Sequence, residues 1–90
     1  MVELPPVLTH QDAGACVETL RQALSSASDP VWVVDARALS RFDSSALAVL
    51  LACRRDAEAR QRRFAVQGLP PKLRQLAVLY GVAELLPEVS

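Results

Sequence analysis

The sequence predicts an α/β domain: a small mixed β-sheet with about three to four helices packed on it. Three observations predict it. Strand-like and helix-like segments alternate along the 90 residues. The segment Val31–Asp35 is apolar on both of its alternating faces, as a strand inside a sheet is. Hydrophobic residues make up 51% of the chain against 22% charged, which supplies one core and argues against disorder. Ninety residues suit one domain, read here as 1–90.

Each element follows from local chemistry. Residues 1–9 hold Val2-Glu3-Leu4, then Pro5-Pro6, then Val7-Leu8-Thr9. Proline donates no backbone hydrogen bond, so this stretch reads as an edge strand or two short pieces. Thr9 reads as a helix N-cap. Asp12, three residues on, takes the acidic position of a capping-box-like pattern and suits the positive helix end. The spacing predicts a first helix from about His10 to Ala27, burying Ala13, Cys16, Val17, Leu20, Ala23 and Leu24. Ser25–Pro30 is a loop by composition.

Val31–Asp35 is the clearest strand, expected to be central and covered on both sides. Residues 36–42 connect it to a long apolar helix from about Ser45 to Arg60, with Ala46, Leu47, Val49, Leu50 and Cys53 on its buried face. Phe64–Gly68 is another strand. Pro70-Pro71 opens a third helix, where proline is tolerated in the first turn. Its face is Leu73, Leu76, Ala77 and Tyr80, and Gly81 suits the left-handed position that ends it. Val82–Leu86 is a short last element, strand or turn, and Pro87 onward is a tail. Short right-handed connections favour a mostly parallel or mixed sheet.

Composition removes several function classes. Ten basic and ten acidic residues cancel, which argues against nucleic-acid binding through bulk charge. The longest apolar run, Ala46–Cys53, is far below the roughly 18 residues of a membrane span, so no direct membrane insertion is expected. The N-terminus carries an acid and two prolines where a secretory signal would be basic and then apolar, so a cytoplasmic protein is expected. Cys16 and Cys53 lie far apart within apolar helical patterns and have no metal-ligand spacing. They read as reduced, buried, small hydrophobes. No metal and no cofactor are expected.

Candidate catalytic groups are few. His10 is the only histidine, and the three glycines are too scattered to cradle a nucleotide. Without a convergent constellation the chain reads as a non-enzyme. A catalytic or small-ligand domain on the same scaffold would need a pocket that the sequence does not advertise. Arg54, Arg55, Arg60, Arg62 and Arg63, offset by Asp56 and Glu58, read as the solvated end of the second helix. Their other reading is a surface for an anionic partner such as lipid headgroups.

The informative segment is Arg41-Phe42-Asp43-Ser44-Ser45-Ala46-Leu47. Asp and Ser before an apolar periodic run are N-cap chemistry. Serine hydroxyls there are exposed beside unpaired backbone N–H groups, and a phosphate would gain from the helix dipole. Such a site can dock a partner and can be switched.

These residues carry a resemblance. The strand Val31–Asp35, the run Phe42–Leu50, and Gly68 followed by a leucine-rich helix resemble a STAS domain, over nearly the whole chain. That is the domain of anti-sigma-factor antagonists and of sulfate-transporter tails. Leu8-Thr9-His10, and Leu76–Gly81 running into Leu85-Leu86-Pro87, are similar to the branch formed by the small STAS subunit of Mla-type phospholipid-transport ABC systems. The resemblance implies a non-catalytic subunit that binds and supports the ABC ATPase, with its permease, at the cytoplasmic face of the inner membrane. Such systems maintain outer-membrane lipid asymmetry. Phe42, Asp43, Ser44, Ser45 and Leu47 would form the partner surface, with Ser44 in the branch's hydroxyl position. Ser45 matches the serine phosphorylated in anti-sigma antagonists, whose partner is a serine kinase, so Ser45 and then Ser44 are candidate phosphorylation sites. Ala46 departs from the glycine usual there. It favours helix by up to ~1 kcal/mol and adds a methyl group in the way of a close-approaching kinase.

Overall fold

The computed structural model describes residues 2–26 and 29–89. The elements run β1 (Val2–Glu3), β2 (Val7–Leu8), α1 (Ala13–Ser25), β3 (Val31–Asp35), β4 (Arg41–Phe42), α2 (Ser45–Ala59), β5 (Arg63–Gln67) and α3 (Pro71–Leu79), closing with a single 3-10 turn, Ala83–Leu85. One sheet has the order β1-β3-β5, and β2 and β4 form a separate ribbon. Every strand pair among the described residues is parallel. The mixed sheet expected from the sequence is thus a parallel one.

The prolines divide the N-terminal stretch into two pieces. Leu4 still donates its N–H to the Asp35 carbonyl at 2.8 Å, but the Pro6 carbonyl turns to accept from Ser40 and Arg41. The chain thereby steps from the three-stranded sheet to the ribbon. The first helix begins at Ala13, later than His10. Residues 9–12 form a turn instead, closed by the Asp12 N–H on the Thr9 carbonyl at 2.9 Å. The capping-box-like pair does form inside this turn: the Asp12 carboxylate accepts from the Thr9 N–H and hydroxyl at 3.3 and 3.0 Å. Thr9 is therefore not the N-cap. Asp12 is, with no side-chain bond to the helix. The predicted far end, Ala27, lies outside the described residues.

The parallel order explains which faces are buried. Steps from β1 to β3 to β5 run in one direction, and right-handed crossovers then load α1 and α2 onto the same face. Trp32 and Val34 lie on that face beside their register partners Phe64 and Val66, and all four are buried. Val31, Val33 and Ala65 occupy the other face and are only half-buried. Coverage of β3 on both sides is corrected accordingly. Leu20 and Leu24 of α1, Ala46, Val49, Leu50, Cys53 and Ala57 of α2, and Leu73 and Ala77 of α3 complete the core. Arg21 of α1 meets Asp56 of α2 at 2.5 Å and ties the two helices.

Other expectations change too: Ala13, Val17 and Ala23 of α1 and Leu76 of α3 are half-buried rather than buried. Cys16 is half-buried rather than buried. Tyr80 is 57% exposed, as Gly81 at φ +72° ends α3 just beyond it. Residues 87–89 are not a free tail: Val66 donates to the Pro87 carbonyl at 2.8 Å and accepts from Val89 at 2.9 Å. The chain end thus adds a parallel bridge to the outer edge of β5, where an unpaired row of backbone groups would otherwise face solvent. Among the described residues no helix is long and apolar enough to cross a membrane.

Candidate functional site

Parallel α/β sheets place their ligand surfaces beyond the carboxyl ends of the strands. Here that edge holds Asp35 at the end of β3, Gln67 at the end of β5 and, after the 36–44 connection, the N-terminus of α2.

Asp43 organises the start of α2. Its Oδ1 accepts the Ser45 N–H at 2.8 Å, and its Oδ2 accepts the His10 N–H at 3.0 Å, 33 residues away. The carboxylate, rather than a serine hydroxyl, therefore satisfies the helix start. Ser44 is the N-cap by backbone position and makes no side-chain cap bond. Ser44 is exposed, whereas Phe42, Asp43 and Ser45 are half-buried. Leu47 is 3% exposed. It offers no contact surface and, with Ala46 before it, packs the first turn of α2 into the core. The Ser45 and His10 N–H groups together hold the Asp43 carboxyl below its usual 3.8.

A second cluster on this edge was not read from the sequence. Asp35 is 4% exposed. Its carboxylate accepts the Arg37 N–H at 2.9 Å and both Nε (3.0 Å) and Nη2 (2.8 Å) of the Arg37 guanidinium. The Arg37 side-chain bonds are the main reason that the Asp35 carboxyl is held below 3.8. The Arg37 side chain lies across Gly68, where a Cβ would stand 2.1 Å from Arg37 Cγ. An acid ending an apolar strand two residues before an arginine was the available signal. The Thr9–Asp12 pair had a capping-box-like signal, but nothing in the sequence pointed to the bond from His10 to Asp43.

Both carboxyls give stability a pH dependence. A pKa lower in the folded than in the unfolded chain contributes stability above the unfolded value, lost as pH falls through the folded one. The urea midpoint is therefore expected to be flat from neutral pH down to about 5 and to drop below about 4. Asp43→Asn and Asp35→Asn should each flatten that drop. A midpoint unchanged between pH 6 and pH 3 would contradict the depressed values.

Among the described residues no group of three His, Cys, Asp or Glu side chains stands where it could hold a metal ion. Parallel strands, helices stacked on one face and an aspartate-clamped serine at a helix start define a small α/β domain with a helix-end surface on its carboxyl edge. The chain belongs to the STAS family: the family model described as Mlab, STAS domain, matches residues 1–87. Two solved structures share the fold. One is the anti-sigma factor antagonist SpoIIAA in its unphosphorylated form, with a TM-score of 0.74 at 19% identity over 98% of this chain and 76% of that one. The other is an anti-sigma-factor antagonist (STAS) domain protein from Planctomyces limnophilus, with a TM-score of 0.75 at 22% identity over 98% of this chain and 79% of that one. None of the curated proteins matches the chain.

Proposed function

We propose that this chain is a non-catalytic binding subunit of a phospholipid-transport ABC complex, docking on the ATPase through the start of α2. Its place is then cytoplasmic, peripheral to the inner membrane through the ATPase and its permease, in a system that maintains outer-membrane lipid asymmetry. The observation that carries the reading is Ser44: exposed, at a helix start, on a backbone that Asp43 holds to the Thr9–Asp12 turn. An exposed hydroxyl on a backbone held this way, flanked by half-buried Phe42 and Asp43, docks at a small ordering cost. The Mlab description of the matching family model supports the choice of partner.

The second reading is an anti-sigma-factor antagonist that binds a serine kinase and is switched at Ser45. The fold likeness to SpoIIAA favours it. The local electrostatics oppose it, since the Asp43 carboxylate already holds the Ser45 N–H that a phosphate at this helix start would use.

Ser44→Arg is expected to lower affinity for the ATPase subunit at least about tenfold, the size of one lost interface anchor. Its melting temperature should stay within about 2 °C of the wild type, as for an exposed surface change. Unchanged affinity, measured by calorimetry with purified ATPase, would overturn the contact. Phosphate on Ser45 in protein from cells, read by mass spectrometry, would move the assignment to the kinase-regulated reading.

A further inference from the structure

An open groove of about 630 Å³ runs between the β1–β2 stretch and α1, within the roughly 300–1,000 Å³ range of binding clefts. It arises from the fold. Pro5 and Pro6 carry the chain from the sheet to the ribbon, and α1 lines the groove with Ala15, Cys16, Thr19 and Leu20. The walls are mostly apolar, and Val7 is 43% exposed. The charged groups at its rim are Glu3 and Asp12, and no lysine or arginine lines it. The nearby Arg37 guanidinium bonds to Asp35 and also feels the charge of Glu3. A mostly apolar trough whose two charged lining residues are both acids is complementary to an apolar segment bearing a cation.

The groove is continuous with the Ser44 surface. Asp12 on its rim accepts from Thr9, and the next residue, His10, donates its backbone N–H to Asp43. We propose that the groove beside α1 is the second half of the docking surface and takes an apolar segment of the ATPase that carries a lysine or arginine. This rests on the ATPase reading above.

Cys16 supplies a reporter inside the groove. Burial and Asp12 push the Cys16 thiol up as well, but it is only half-buried, whereas Cys53 is buried and pushed up to about 12, chiefly by desolvation, and so serves as the slower internal control. The experiment titrates purified ATPase against wild type, Ala15→Trp, Glu3→Lys and Ser44→Arg, and follows iodoacetamide labelling of Cys16 in the wild type. Ala15 is exposed, so tryptophan there fills the groove without entering the core. The expected result is affinity lowered about tenfold or more by the first two variants, and Cys16 labelling slowed several-fold by bound ATPase. If Ala15→Trp melts lower than wild type, the Cys16 footprint decides.

Unchanged affinity with unchanged Cys16 labelling overturns the groove and leaves the Ser44 contact standing. Loss with Ala15→Trp but none with Ser44→Arg overturns the Ser44 contact and leaves the groove. No binding to the wild type overturns both. A wild-type dimer that Ala15→Trp dissociates would make a second copy the occupant and overturn the proposal.

Discussion

Trp32→Ala is expected to leave this domain at the edge of folding. Trp32, the second residue of β3, is 1% exposed and is the largest fully buried side chain among the described residues. It stands beside Phe64 in the register of β5, and the Arg60 guanidinium carbon lies 5.5 Å from its ring centroid. Truncating a buried aromatic to alanine costs about 3–5 kcal/mol, from lost transfer energy and from the cavity left behind. A small domain sits near the low end of the usual stability of about 5–15 kcal/mol. The loss thus consumes most of what holds the fold. Urea unfolding followed by far-UV circular dichroism measures it. A loss under about 1 kcal/mol would mean that the surrounding core collapses into the space.

Gly68→Ala should be the most damaging change of a single surface position. Gly68 sits at φ +68°, where a side chain other than glycine costs about 1–2 kcal/mol. The new methyl group would also stand 2.1 Å from Arg37 Cγ, close to the backbone end of that side chain. Arg37 then has to swing at its root, which takes its guanidinium off Asp35. The carboxylate keeps the Arg37 N–H but loses both side-chain donors in a site that is 4% exposed. A double-mutant cycle separates the two causes. In an Arg37→Ala background, Gly68→Ala should cost the backbone strain alone. Equal costs in both backgrounds would show that Arg37 yields freely and that Asp35 does not depend on it.

The legible parts of the fold were those set by short-range chemistry. The strand Val31–Asp35 and the helix from Ser45 have the predicted starts, since β-branched alternation and an Asp-Ser-Ser approach to an apolar period are signals carried by neighbouring residues. The first helix starts later than expected because Asp12 serves a turn as well as a helix. Both uses look alike in a sequence. The apolar period set Leu47 on the buried face of α2, while the resemblance set it in the partner surface beside Ser44. The structure buries Leu47 and exposes Ser44, so the period prevails.

The alternation of elements, the apolar faces of the helices and the Asp43-Ser44-Ser45 helix start are determined by the sequence alone, because each depends on contacts within a turn or two of chain. The tertiary structure decided what depends on strand order and crossover hand. It brought His10 to Asp43 across 33 residues, set Glu88 beside Val66 at the sheet edge, laid Arg37 over Gly68, and left a groove between the prolines and α1. Such juxtapositions join residues remote in sequence, and local propensity carries no information about which remote segments meet. Folding selects them by the burial of the whole core.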